Sequence, residues 1–364
     1  MIPIQNFDNI LTPGVVVFPE IVQRNIDWVI QKVGDVDRLR PHIKTHKTKE
    51  VNDMLLASGV TKFKAATIAE AELLALSEAP DVLISMQLTG PHVTRFIQLI
   101  QKYPKTIFAA LCDDAVALQQ YQAAAAQAAI RLNVYIDLNV GMNRTGIVPE
   151  KALELIIQLN TCTNIYLKGI HAYDGHIRDA SITDRQAHVA KDFEAFWDLK
   201  ISLDAQFPYL EYVVGGTPSF LVHYAEKQFT CSPGTFVFTD AGYQALYPEH
   251  SLEQAVYIVS RIISKPTNRT ICLDMGHKSV APENSIDNRV RFLFNPDFKL
   301  LSQSEEHGIV EAGDSSQYAV GEVIVMQPYH VCPTINLTQS LQVIENGKKV
   351  GEWEVLGRGR RITI

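Results

Sequence analysis

Along the first two-thirds of the chain, short runs of β-branched and aliphatic residues alternate with longer stretches in which apolar positions recur at helical spacing. The runs at 38–44, 62–67, 82–86, 106–111, 132–138, 165–171, 212–214 and 228–231 read as strands, and 68–78, 91–102, 115–129, 149–160 and 184–204 read as helices between them. Such alternation is the pattern of βα units around a parallel sheet. Eight strands suggest closure into a (β/α)8 TIM-type barrel. The alternative is an open doubly wound sheet, although no GxGxxG opens a helix after any of these strands. From about residue 250 the texture changes to short strands at 255–265, 270–274, 290–294, 322–326, 342–345 and 351–356, with Asn346-Gly347 as a hairpin turn. The α/β pattern therefore predicts a barrel over 14–250 and a C-terminal β domain over 251–364, with residues 1–13 as a candidate addition to the latter. The run Pro13-Gly14-Val15-Val16-Val17-Phe18, followed by a helical pattern over 19–33, is a candidate extra strand of the β domain.

Composition narrows the function classes. The 364 residues are 46% hydrophobic and 20% charged, which excludes a disordered chain. Lys and Arg number 33 against 40 Asp and Glu, so there is no basic excess to hold a phosphate backbone and no nucleic-acid partner is expected. The Ala-rich 123–130 is far too short to span a membrane, and Met1-Ile2-Pro3-Ile4-Gln5-Asn6 lacks a basic leader region, which points to a soluble, cytoplasmic protein. Five scattered cysteines without a CxxC pair do not form a disulfide framework.

The densest chemical signal is Arg40-Pro41-His42-Ile43-Lys44-Thr45-His46-Lys47. Side chains two apart on a strand share a face, so His42, Lys44 and His46 are expected to point into the barrel mouth. Burial among cations lowers the pKa of an ammonium and makes Lys44 a candidate Schiff-base amine; a solvated basic patch is the competing reading. In Gly215-Gly216-Thr217-Pro218-Ser219, two glycines allow close backbone approach and two hydroxyls are added, so the loop can hold a phosphate, though a plain turn would use the same residues. Arg144, in Gly141-Met142-Asn143-Arg144-Thr145-Gly146, can set a cation over an acidic group of a cofactor or pair with Asp137. His171 and Tyr173 share a face at the end of the sixth strand, and Gly175 lets His176 turn back toward the mouth; hydrogen-bonded core roles are the alternative. His330 and Cys332, two apart on an expected strand, offer an imidazole and a thiolate of the type zinc prefers, or else a buried thiol beside a satisfied histidine.

Taken together these segments resemble a known family, the fold-type III pyridoxal-phosphate enzymes, and within it the D-threonine aldolase and D-serine dehydratase group related to alanine racemases. The resemblance covers nearly the whole chain. Residues 40–47 look like the group's cofactor-lysine motif and imply that Lys44 binds pyridoxal 5'-phosphate. Residues 141–146 are similar to the family's GMxRxG segment, implying contact of Arg144 with the cofactor's phenolate oxygen. Gly215, Gly216, Thr217 and Ser219 resemble the phosphate cradle, and Tyr173 looks like the tyrosine beside the cofactor. Residues 232–238 with Asp240 and Tyr243 resemble the segment after the last barrel strand, implying cofactor contacts for the last two. His330-Val331-Cys332 resembles the His-x-Cys zinc pair of eukaryotic-type D-serine dehydratases, whereas D-threonine aldolases present His-x-Asp to manganese or a related ion; the adjoining 333–337 looks aldolase-like. Asp274-Met275-Gly276-His277-Lys278 sits where relatives carry a DxGxK-like segment and reads as a strand-end turn. The second-domain tyrosine motif of alanine racemases has no counterpart here.

The resemblance thus implies a homodimeric lyase that uses pyridoxal phosphate and a zinc or manganese ion on small D-3-hydroxyamino acids. Aldolase-type cleavage to glycine and an aldehyde is the leading expectation, and dehydration of D-serine to pyruvate and ammonia the second. Lys44 and Tyr173, with His42, His46 and His176 as spare bases, are the candidate catalytic groups. A non-catalytic cofactor-binding protein is a reading of another class, but such proteins are single barrels without a second domain. A metal hydrolase would need several His and carboxylate ligands converging on one ion, a pattern not visible here.

Overall fold

The computed structural model describes residues 4–364; the first three residues, on which part of the leader reading rests, lie outside the described residues. The chain forms two units, one of residues 29–44, 52–234 and 359–364, the other of residues up to 28, 45–51 and 235–358. Regular structure begins with strand β1 (Gly14–Val17) and the helix Pro19–Val33, at the length expected. In the first unit, β2 (Lys62–Ala65), β3 (Asp81–Gln87), β4 (Ile107–Cys112), β5 (Leu132–Leu138), β6 (Ile165–Ala172), β7 (Glu211–Val214) and β8 (Phe229–Cys231) pair in parallel and in sequence order.

The eighth position of the ring is filled differently from expectation. Residues 38–44 do not form a strand: Val36–Arg38 and Ile43–Thr45 are 3₁₀ turns, and only Leu39 and His42 make bridges, to Cys231 and Lys64. The Arg40 N–H donates to Cys231 O and the Lys64 N–H to Pro41 O, both at 2.9 Å, so this short extended piece joins β8 to β2 and closes the barrel. Pro41 accounts for the interruption, because it has no N–H to donate.

Helices lie between the strands, each started by a local device. Thr67 caps Ile68–Leu76 by accepting the Glu70 N–H, Asp114 caps Ala115–Gln127 by accepting from Val116 and Ala117, and Pro91–Lys102 and Pro149–Asn160 open on proline. The stretch expected as one helix over 184–204 is two, Ile182–Asp192 and Glu194–Gln206. The break falls at Phe193, whose buried ring packs on Phe196 and His223. Leu83, Ala109, Leu111, Tyr135 and Val213 fill part of the barrel interior. The chain's last residues belong to this unit: buried Glu72 accepts N–H groups from Thr363 at 3.0 Å and Ile364 at 3.2 Å, and Arg95 donates to Ile364 O.

The second unit is a nine-stranded sheet of β1 with β9 (Val256–Ser264), β10 (Thr270–Leu273), β11 (Val290–Phe292), β12 (Lys299–Gln303), β13 (Gly308–Glu311), β14 (Val323–Pro328), β15 (Ser340–Glu345) and β16 (Lys348–Glu354). Valines of β1 pair antiparallel with β9 and parallel with β15, as the candidate extra strand required. Asn346 and Gly347 have φ of 49° and 78°, the values a two-residue hairpin turn demands. Ile258, Ile262, Ile271, Leu273, Val310 and Met326 lie in this unit's buried core. Among the described residues no helix is long and apolar enough to cross a membrane.

Candidate active site and metal pair

The barrel interior begins with a floor of paired charges. Arg40, wholly buried, donates to Asp81 Oδ1 at 2.7 Å and to Glu211 Oε2 at 2.8 Å, groups at the first residues of β3 and β7. Lys62 joins Glu211 at 3.2 Å, Lys168 pairs with Asp81, and Tyr135 donates its hydroxyl to Glu211. Burial opposes the charge of Arg40, but Tyr135, Glu211 and Asp81 around it hold its pKa above the ordinary value. Burial would likewise raise Glu211, yet Arg40 and Lys62 bring it down to about 2. A buried charge is tolerated only when so paired.

Toward the C-terminal ends of the strands lies a cleft of about 430 Å³, open solvent included, walled by His42, Lys44, Lys64, Asp137, Arg144, His171 and Tyr173 among others. Its centre is the Tyr173 ring. Lys44 Nζ and Lys64 Nζ each stand 5.5 Å from the ring centroid, and Arg144 Cζ 5.2 Å, within cation–π range. Lys64 is 2% exposed; burial, then the charge of Lys44, pushes its pKa down to about 7. Its Nζ lies 3.4 Å from His171 Nε2, and His171 Nδ1 lies 2.7 Å from Asp137 Oδ1. Burial and Lys64 lower the pKa of His171, so this ring is held neutral between a lysine and a carboxylate. Lys64 was not singled out in the sequence; its place as the next-to-last residue of a barrel strand, facing inward, is the signal that marks it.

The loops around the cleft are set by their own hydrogen bonds. His42 accepts the Lys44 N–H at Nδ1, 3.3 Å, which leaves Nε2 as the donor toward Ser85 Oγ at 3.2 Å. Asn139 Oδ1 takes the N–H groups of Gly141 and Asn143, and Asp113 takes that of Gly146, which fixes the loop carrying Arg144. Asp137 is engaged by His171, as noted, which favours the reading of Arg144 as a cation aimed at a ligand.

At the end of β7, Gly215 has φ +69°, a conformation that glycine adopts freely. Ser219 Oγ, expected to face a phosphate, donates to Asp174 Oδ1 at 2.7 Å and meets the Gly216 N–H at 3.3 Å, while Thr217 Oγ1 takes the Gly234 N–H. These hydroxyls therefore shape the loop. Asp174 is wholly buried; burial would raise its pKa, but His223, at 2.7 Å, and Ser219 hold it below the usual carboxylate range.

Two histidines grouped with Lys44 in the sequence have other surroundings. The turn Ile43–Thr45 ends the strand alternation, and His46 is buried in the other unit, its ring edge-on to Phe238 and its Nδ1 taking the Thr48 N–H. Burial pushes its pKa down to about 3. His176 pairs with Asp192 at 2.7 Å and lies beside His188, off the cleft wall.

In the β unit, residues 331–337 are not strand. His330 precedes the helix Val331–Leu337 and Cys332 stands in its first turn. Asp240, expected near the cofactor, caps helices instead: Oδ1 accepts the Tyr243 N–H at 2.8 Å and Oδ2 the Val331 N–H at 2.9 Å, and burial raises its pKa to about 6. Tyr243 itself packs edge-on against Tyr247. His330 Nδ1 is 2.6 Å from Glu283 Oε1, and Cys332 Sγ is 3.2 Å from Thr45 Oγ1. Burial works against protonation of His330, but Cys332 and Glu283 raise its pKa to about 9. His330 and Cys332 offer an imidazole and a thiol, donors of the kind a zinc-class ion takes, and Glu283 hydrogen-bonds the imidazole. Glu283, 47 residues before His330, carries no local pattern that would reveal it.

Comparison with known proteins agrees with this architecture. The model described as "Alanine racemase, N-terminal domain" matches residues 19–241, more than half of the chain, and one described as "Putative serine dehydratase domain" matches residues 255–344. The chain is 27% identical over 383 residues to a 3-hydroxy-D-aspartate aldolase of Paracoccus denitrificans, covering 99% of this chain and 95% of that one. It is 26% identical over 328 residues to a D-threonine aldolase of an Arthrobacter species, covering 88% and 85%. The crystal structure of the D-threonine aldolase of Filomicrobium marinum superposes with a TM-score of 0.88 at 24% identity, over 97% of this chain and 96% of that one, so the fold implied by the sequence resemblance is the fold present. With its racemase-type barrel and appended β unit, this chain belongs to the alanine racemase N-terminal domain family.

Proposed function

We propose that the protein is a pyridoxal-phosphate- and metal-dependent lyase that cleaves the Cα–Cβ bond of D-3-hydroxyamino acids to glycine and an aldehyde. The observation that carries this is the Tyr173 ring with Lys44, Lys64 and Arg144 gathered at 5.2 to 5.5 Å around it. Such a gathering of basic groups about one aromatic ring fits an anionic, phosphorylated ligand. The loop backbone at Gly216 fits it too, since a Cβ there would stand 2.9 Å from Tyr173 Cε2 and narrow the approach.

In this reading Lys44 would hold the cofactor through its amine, Arg144 would face the ring oxygen, Tyr173 would lie beside the ring, and the 215–219 backbone would bind the phosphate. When bound, the cofactor supplies an electron sink for charge developing at the substrate's α-carbon. A divalent ion on His330 and Cys332, zinc or manganese, would supply acidification of a bound hydroxyl. The chain's own groups manage the protons. His42 presents Nε2–H toward Ser85, and Lys64, near neutrality at about 7, can hold or release a proton at Nζ while His171 and Asp137 keep it oriented.

A second reading is dehydration of D-serine, favoured by Cys332 beside His330 and by the dehydratase-type match over 255–344. Purified protein loaded with cofactor, given D-threonine or D-serine with and without zinc or manganese, separates the two. Glycine and acetaldehyde from D-threonine support the aldolase; pyruvate and ammonia from D-serine support the dehydratase. Turnover of neither substrate by a protein whose cofactor absorbance disappears in Lys44→Ala would favour a non-catalytic cofactor carrier. Light scattering tests the homodimer that the sequence resemblance implies.

A further inference from the structure

Away from the cleft wall, His176, His188 and Asp192 are the one group of three His, Cys, Asp or Glu residues, among the described residues, whose ligand atoms all lie within 4.8 Å of one another. His188 and Asp192 are four apart on the helix Ile182–Asp192 and so share a face, and His176 reaches them from the turn after β6. His188 Nε2 is 3.4 Å from Asp192 Oδ2, about the separation of two ligand atoms on a tetrahedral ion with bonds of about 2.0–2.1 Å. His176 Nε2 is 2.7 Å from the same oxygen, a hydrogen bond that a cation would replace with a small opening of the pair.

A separate observation concerns the far side of the His188 ring. Its Nδ1 meets Asp179 Oδ2 at 2.8 Å, the carboxylate–histidine arrangement that fixes the tautomer of a metal-binding imidazole and aims Nε2 at the ion. Gly141 covers the cluster, for a Cβ there would stand 2.5 Å from Asp192 Oδ2 and 2.9 Å from His176 Nε2.

We propose that His176, His188 and Asp192 hold a zinc-class divalent cation, with water in the remaining position, at a site different in residues and donor chemistry from His330 and Cys332. Two imidazoles and one carboxylate form a three-ligand set that leaves zinc an open fourth place. Lodged under Gly141, the ion ties the turn after β6 and the helix Ile182–Asp192 to the loop that carries Arg144. It thereby positions that arginine and takes no part in bond breaking.

The test uses the full-length protein with His330→Ala and Cys332→Ala, stripped of metal and titrated with zinc alone in a calorimeter. One equivalent per chain is expected, falling at least tenfold in affinity when His188→Gln and Asp192→Asn are added. His188→Gln alone, on a part-exposed helix face, serves if the combined variant loses its far-UV circular dichroism. Cobalt in place of zinc is expected to give a visible d–d spectrum without the thiolate charge-transfer band that Cys332 would produce. Absence of uptake by the folded His330/Cys332 variant, or uptake unchanged by His188→Gln, overturns the proposal.

Discussion

Lys64 Nζ lies 3.4 Å from His171 Nε2, and both residues are buried. The pKa of this lysine falls from its ordinary 10.5 to about 7, through burial first and Lys44 second. Below pH 7 the folded and unfolded chains both carry the proton, and the cost of the buried charge is felt in full. Between pH 7 and 10.5 the unfolded chain binds more protons, so stability rises with pH, and above that window the cost is gone. In the cofactor-free protein, Lys64→Met should therefore raise stability at pH 6 by roughly 3–5 kcal/mol relative to wild type, with the gain shrinking toward pH 10. Urea midpoints at the two pH values measure it; equal gains at both would refute the assignment.

The charged floor leads to a different pH limb. Glu211 is depressed to about 2 in the folded state, so its stabilising contribution is complete above its ordinary pKa of 4.5 and is lost as pH falls toward 2. Arg40→Met strands Asp81 and Glu211 without their central cation and should cost about 3–5 kcal/mol at pH 7. Denaturation curves from pH 3 to 7 should then be flatter for Arg40→Met than for wild type.

Gly216→Ala probes the cofactor reading without removing a functional group. Its methyl would press on Tyr173 Cε2 at 2.9 Å and shift the ring or the loop. Fluorescence titration with pyridoxal phosphate should show affinity weakened about tenfold, roughly 1.4 kcal/mol. The urea midpoint should move much less. An unchanged affinity would place the phosphate elsewhere.

For the metal pair, His330→Ala and Cys332→Ala should each lower bound zinc or manganese by one equivalent per chain in elemental analysis. Turnover of the best substrate should fall at least a hundredfold, while the absorbance of bound cofactor persists. Chelation of wild type should reproduce that loss and added metal reverse it, an outcome a purely structural role for these residues would not give.

Much of the barrel is readable from residue order because its strands are apolar on both faces, as parallel strands with helices packed over them must be. Residues 38–44 defeat the pattern because their inward side chains are polar for structural reasons. Arg40 anchors the floor, His42 holds a turn, and the backbone ladder lasts only from Leu39 to His42. The same segment explains why His46 was grouped with Lys44, since a 3₁₀ turn destroys the two-residue alternation on which the grouping relied. β12 escapes notice because Lys, Ser and Gln make up three of its five residues, and β13 because it is only four residues long. The departure from the strand expected at His330 and Cys332 has a tertiary cause: the carboxylate of Asp240, ninety-one residues from Val331, takes its N–H and starts a helix. The place of Lys44, Arg144 and Tyr173 on the cleft wall is legible because each follows the end of a barrel strand or its bridge.

The polypeptide passes from one unit to the other after residues 28, 44, 51, 234 and 358, and ends with Ile364 fastened by Glu72 and Arg95. Neither unit is a contiguous cassette, so recombination with relatives at a single crossover anywhere within residues 29–358 would sever both.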